Sequence, residues 1–129
     1  MASDPILIVD DNPDNLTLLS FLLAKRGYEV RSVSSAQEAL NALLSFRPRL
    51  ILMDLQMPGM DGFELSRRIK TDPTTRGIVI LAVTAYAMKG DEQKARAAGC
   101  DGYVTKPIDT RALPQLVAAY LAGTPPRES

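Results

Sequence analysis

Five polar side chains stand where short runs of residues end. The acidic pair Asp10-Asp11 follows Ile6-Leu7-Ile8-Val9, Asp54 follows Leu50-Ile51-Leu52-Met53, Thr84 follows Ile78 to Val83, and Lys106 follows Gly102-Tyr103-Val104-Thr105. Three ionised carboxylates and one ammonium sum to −2. Two like unit charges ~4 Å apart cost about 4 kcal/mol at an effective dielectric of 20, so these groups, if gathered, call for a cation. The chain has no histidine and one cysteine, which leaves oxygen ligands. Oxygen ligands select a hard ion, and magnesium, which keeps several of its waters, is the expected one. A phosphoryl group on Asp54 would take its charge from −1 to about −2, leaving the cluster at roughly −1 with the metal and −3 without it. Phosphoryl chemistry on these residues is therefore expected to need Mg²⁺.

The elements that must bring them together are legible as alternating strand and helix signals, which argue for βα repeats and a parallel sheet. The continuous apolar runs Ile6 to Val9, Leu50 to Met53 and Ile78 to Val83 read as central strands covered on both faces. Glu29 to Val33 and Gly102 to Thr105 carry polar residues and read as edges. That placement predicts a doubly wound α/β fold of five parallel strands in the order 2-1-3-4-5, the flavodoxin-like and CheY-like order, whose ligand crevice lies between strands one and three at their carboxyl ends. The crevice is where Asp10, Asp11 and Asp54 converge.

Helix one follows Asn12-Pro13, carries Leu16, Leu19, Leu22 and Leu23 on one face and stops at Gly27. Ser35 and Glu38 form a capping box for helix two, with a core stripe of Ala36, Ala39, Leu40, Leu43 and Leu44. Helix three starts near Gly62 and presents Leu65 and Ile69; helix four, roughly Asp91 to Ala98, offers mainly alanines. Helix five carries Leu113, Leu116, Val117, Tyr120 and Leu121, and Gly123-Thr124-Pro125-Pro126 ends it. Pro114 follows Asp109 by five residues, so this helix either starts near Arg111 or later or has a distorted first turn.

Composition narrows the function classes. A chain of 129 residues predicts one domain spanning 1–129, with a core of about 5–122 and a short tail at 123–129. Fifteen basic and fifteen acidic side chains cancel, which lacks the electrostatic footprint of a nucleic-acid binder or a polybasic membrane-surface protein. The longest apolar runs are six residues, too short to span a bilayer. The N-terminus lacks the pattern of a signal peptide, and a lone Cys100 fits a reducing compartment, so the cytoplasm is expected. Without histidine there is no Ser-His-Asp triad and no His-ligated zinc.

At Asp10-Asp11, the run Leu52-Met53-Asp54-Leu55-Gln56-Met57-Pro58-Gly59-Met60-Asp61-Gly62, Thr84-Ala85 and Lys106-Pro107, the sequence closely resembles the CheY-like response-regulator receiver family, over residues 5 to about 122. The stretch Ala82 to Asp91 is most similar to DivK-type stand-alone receivers and to receiver domains of hybrid kinases. The resemblance implies that Asp54 accepts a phosphoryl group from a phosphohistidine on a histidine kinase or histidine phosphotransfer protein. It implies that Asp11, Asp54 and the Gln56 backbone carbonyl bind Mg²⁺ directly, and Asp10 mostly through water. Lys106 would pair with Asp54 and then with a phosphoryl oxygen, and Thr84 would donate its hydroxyl to another. Tyr103 matches the switch aromatic that turns into space vacated by Thr84, and Lys106-Pro107 is implied to be cis. The output is a change of affinity for a downstream partner on the face of helix four, strand five and helix five. Gln56 and Tyr86 flank the phosphoryl position, and a bulky Tyr86 is expected to slow dephosphorylation.

Taken singly, the same residues have plainer readings. Asp10-Asp11 could be helix N-terminal charges, Thr84 a strand-end cap, Lys106-Pro107 a surface turn and Tyr103 a packing aromatic. Asp14 and Asp61 read as helix-start charges, Gly59 and Gly62 as turn and helix-start glycines, Met53, Met57, Met60 and Met88 as gap fillers, and Cys100 as a small semi-buried residue. Among whole functions, an aspartyl-phosphate phosphohydrolase wants a second acid two positions after its nucleophile, where this chain has Gln56. A flavin carrier wants a hydroxyl- and glycine-rich phosphate loop where this chain has Asp10-Asp11-Asn12-Pro13. The expectation is a non-enzymatic signalling phosphoacceptor, stand-alone in view of Met1 and the short tail, with a receiver excised from a hybrid kinase as the alternative.

Overall fold

Alternation along each strand sorts the core into two layers. In the computed structural model, which describes residues 4–57, 59–85 and 90–123, the elements run β1 (Pro5–Val9), α1 (Pro13–Ala24), β2 (Glu29–Val33), α2 (Ala36–Ala42), β3 (Leu50–Asp54), α3 (Gly62–Thr71), β4 (Val79–Thr84), α4 (Asp91–Ala97), β5 (Gly102–Thr105) and α5 (Ala112–Leu121). The strands form one sheet in the order β2-β1-β3-β4-β5, every neighbouring pair parallel. Successive side chains point to opposite faces. Ile6, Ile8, Leu50, Leu52, Leu81 and Val83 therefore pack with α1 and α5 through Leu19, Leu23, Leu113 and Val117. Leu7, Val9, Ile51, Met53, Ile80 and Ala82 pack with α2, α3 and α4 through Ala36, Ala39, Leu65, Ile69 and Ala95.

Local chemistry sets the helix ends. Asn12 caps α1 by accepting the Asp14 and Asn15 backbone N–H groups, and Asp61 caps α3 by accepting from Glu64 N at 3.0 Å, as a helix-start acid should. Ser35 caps α2, but Glu38 does not close the reciprocal box; its carboxylate accepts from the backbone and hydroxyl of Ser34 at 2.8 and 3.1 Å. Pro114 lies in the first turn of α5, where a missing N–H is tolerated, so the helix begins at Ala112, after the Asp109 carboxylate has accepted the Arg111 and Ala112 N–H groups.

One expected core residue faces water. Leu44 is 83% exposed, because α2 ends at Ala42 and the chain continues in tight turns with Leu44 N donating to Asn41 O and Ser45 N to Ala42 O. The turn carries Phe46, rather than Leu44, into the core. Met53 and Met57 are buried and Met60 packs beside them. Pro58, Met88 and the tail from Thr124 onward lie outside the described residues.

The strand starts are tied together by two long cations. Lys70 Nζ donates to Ile78 O at 2.7 Å, to Arg76 O at 3.3 Å and to Asp101 Oδ2 at 2.9 Å, and the same Asp101 oxygen accepts Ile80 N. Arg49 pairs with Asp4 at 3.0 Å and donates to Leu121 O at the end of α5.

Gly62 lets α3 start directly beneath the end of β3. A Cβ there would stand 2.8 Å from both Asp54 O and Leu55 Cα, and backbone cannot swing aside as a side chain can. Gly62→Ala is expected to cost about 1–3 kcal/mol in urea unfolding, as overpacking does; Gly77→Ala, with nothing within 4 Å of the new carbon, should stay within about 0.5 kcal/mol of the parent. Cys100 is buried, with Sγ 3.4 Å from Ser66 Oγ, and burial pushes its thiol pKa up. Alkylation of Cys100 should be slow in the native protein and complete on denaturation.

Candidate functional site

The carboxyl ends of β1, β3, β4 and β5 carry the five polar residues to one rim. Asp10 directly follows β1 and is 2% exposed. Its carboxylate accepts Asn12 N at 2.9 Å and Asn15 Nδ2 at 3.3 Å. Asp11 beside it is exposed. Asp54, the last residue of β3, is 3% exposed, and Thr84, the last of β4, is fully buried.

Lys106 completes the cluster. It follows β5, its backbone N donates to Thr84 O at 2.7 Å, and its peptide bond to Pro107 is cis, as the resemblance implied. Its ammonium lies 3.3 Å from Asp54 Oδ2 and 3.7 Å from Asp10 Oδ2. One cation thus faces two buried carboxylates, and the balance at Asp54 is visible in its acidity. Burial pushes the Asp54 pKa above the ordinary carboxylate value and the charge of Asp10 adds to this, while the Gln56 N–H and the Lys106 ammonium oppose it.

Asp10, Asp11 and Asp54 each present a carboxylate oxygen within 4.8 Å of the others. Two buried acids and one open to solvent, all oxygen donors, suit a hard divalent ion that keeps part of its water shell. The donor set fits Mg²⁺.

Gln56 is expected here through its backbone carbonyl; what the structure engages is its backbone N–H and its side chain. Its N–H donates to Asp54 Oδ1 at 2.9 Å, and its side-chain oxygen accepts from Thr84 Oγ1 at 3.0 Å and from Ala85 N at 3.2 Å. Asn15 was not anticipated as a site residue. Its signal was the spacing from the cap residue Asn12, which places a side-chain amide in the first turn of α1, above Asp10. Tyr103 is partly buried and packs on the layer that holds Ala82 and Ala95, with Ala82 its partner in register. Tyr86 lies outside the described residues. A separate groove of about 240 Å³ between α2 and α3, lined by Leu40, Leu43, Leu44, Arg47, Arg68 and Ile69 among others, contains none of the rim residues. No helix among the described residues is long and apolar enough to cross a membrane.

Comparison with known proteins agrees with this geometry. The chain is 40% identical over 116 residues to the polar-differentiation response regulator DivK of Brucella anthropi, covering 90% of this chain and 94% of that one. Among solved structures, the signal receiver domain of a signal transduction histidine kinase from Syntrophus aciditrophicus superposes with a TM-score of 0.87 at 34% identity, covering 98% of this chain and 96% of that one. A sensor histidine kinase receiver domain from Pseudomonas aeruginosa, solved with a magnesium ion coordinated in the active site cleft, gives a TM-score of 0.85 at 32% identity, covering 93% of this chain and 98% of that one. With residues 6–118 matching the response regulator receiver domain, and five parallel strands presenting their acids, hydroxyl and lysine at one rim, the chain belongs to the response regulator receiver family.

Proposed function

We propose that the protein is a signalling phosphoacceptor: Asp54 takes a phosphoryl group from a phosphohistidine on a histidine kinase or histidine phosphotransfer protein, and the modified rim alters partner binding. The observation that carries this is the placement of Asp54, buried at a strand end, with Lys106 Nζ 3.3 Å away and two further carboxylates within 4.8 Å. An ionised carboxylate needs no general base. A carboxylate oxygen of Asp54 bonds to phosphorus as the bond from phosphorus to the donor imidazole nitrogen breaks, and the imidazole leaves with that electron pair. Such transfers depend on alignment and on neutralising charge spread over the phosphoryl oxygens.

Each neighbour has a part in that neutralisation. Asp10, Asp11, Asp54 and the Gln56 carbonyl would hold Mg²⁺, which supplies two positive charges beside the phosphoryl oxygens. Lys106 orients Asp54 beforehand and can pass to a phosphoryl oxygen afterwards, and the Thr84 hydroxyl donates to another. Tyr103, on the layer under α4, is the proposed switch, and the α4, β5 and α5 face the proposed surface for a downstream protein. Among the described side chains of α4, Ala95 alone is buried, which suits an element that shifts. Likeness to DivK at 40% identity over 94% of its length supports a DivK-type response regulator over a kinase-borne receiver, and a cytoplasmic location goes with that reading.

Acetyl phosphate with Mg²⁺ should add one phosphoryl group by intact mass to the wild type, none in EDTA and none to Asp54→Ala; addition to Asp54→Ala would move the acceptor elsewhere. Burial of Asp54 also predicts a pH dependence. Because its folded pKa is raised, the folded state holds the proton more tightly than the unfolded one, so metal-free stability falls as pH rises from the ordinary carboxylate range through the raised value. Asp54→Asn should therefore melt higher than the wild type at neutral pH in chelator. The gap should close as pH falls below that window, and it should narrow on adding Mg²⁺.

A further inference from the structure

The side chain of Gln56 occupies a position with a consequence for the state before phosphorylation. Its oxygen accepts two hydrogen bonds at once, from Thr84 Oγ1 at 3.0 Å and from Ala85 N at 3.2 Å. A backbone N–H can only donate, so the atom facing Ala85 is the carboxamide oxygen and its NH₂ points elsewhere. The backbone of the same residue donates to Asp54 Oδ1 at 2.9 Å. Two donors at the end of β4 thus converge on one oxygen, and the residue supplying that oxygen is already bonded to the proposed nucleophile.

Converging donors at a strand end are the arrangement that stabilises a developing oxyanion. A neutral amide oxygen is a weaker acceptor than a charged phosphoryl oxygen. We infer that Gln56 is the internal occupant of this donor pair. In the unphosphorylated protein its carbonyl holds Thr84 and Ala85 in place; a phosphoryl group on Asp54 takes both donors and expels the carboxamide. Gln56 is a positioning residue in this scheme, and it opposes the phosphorylated arrangement by competing for the same donors. The inference rests on the proposed phosphorylation of Asp54.

Beryllofluoride, a phosphoryl mimic that is not lost to hydrolysis, separates this competition from any effect on water attack. It is titrated at saturating Mg²⁺ into the wild type, Gln56→Ala and Gln56→Leu, with the Ala85 amide followed by ¹H–¹⁵N NMR. Leucine keeps most of the volume and removes the acceptor. Both variants should bind the mimic at least roughly threefold to tenfold more tightly, the change expected for each net neutral hydrogen bond the competitor loses. In the free variants the Ala85 amide resonance should shift, since its acceptor is gone. A purely structural role for Gln56 would weaken binding instead. Equal or weaker affinity in the variants, or an Ala85 amide that does not move in their free forms, overturns the inference while leaving Asp54 as acceptor. Failure of the wild type itself to bind beryllofluoride overturns the phosphoacceptor reading and this inference with it.

Discussion

Burial of the Asp54 carboxylate at the end of a central strand is the constraint on which the rest depends. A charge removed from water is costly unless it is paired, and here one ammonium, 3.3 Å away, faces Asp54 and Asp10 together. Pairing does not fully offset burial, which holds the Asp54 pKa above the ordinary carboxylate value, with the charge of Asp10 adding to it. A fully neutralised site would be more stable and would have less reason to attract a dication. Stability is given up at the rim, where the proposed metal binding would draw on the excess negative charge.

The fold meets that constraint by geometry alone. A parallel sheet brings all its strand ends to one side, and the order β2-β1-β3-β4-β5 sets β1 beside β3, so that the acids following them meet without long loops. Both faces of the central strands are covered by apolar layers, which leaves the strand ends as the places where polar residues can gather. Gly62 allows α3 to begin against the Asp54 carbonyl, and the backbone bond from Lys106 to Thr84 carries the β4–β5 pairing up to the site.

Much of this was legible in the sequence because it follows from period and punctuation. Three unbroken apolar runs marked the central strands, polar interruptions marked β2 and β5 as edges, and the strand order with its rim of Asp10, Asp11, Asp54, Thr84 and Lys106 followed. What escaped was decided by contacts that no spacing rule encodes. Leu44 fits a helical stripe but lies past the point where α2 stops, and Phe46 is buried in its stead. Glu38 fits a capping box, yet Ser34 offers its carboxylate two donors. Gln56 stands two residues after Asp54, and nothing in that interval says its side chain crosses to Thr84 and Ala85 at the end of the neighbouring strand. Such crossings depend on rotamers, which the linear pattern does not contain.

The ties at Lys70 and Arg49 give the sheet two unlike ends. Lys70 binds the chain entering β4 and, through Asp101, the chain entering β5; Arg49 binds Asp4, just before β1, and the last residue of α5. Each of these anchors is at the foot of the sheet, a full strand length from the charged rim. The molecule is in mechanical terms a cantilever, clamped where the strands begin and loaded where they end. A change of charge at the free end, as the proposed phosphorylation would bring, would act where these ties do not reach, while the clamped base keeps the hydrophobic layers in register.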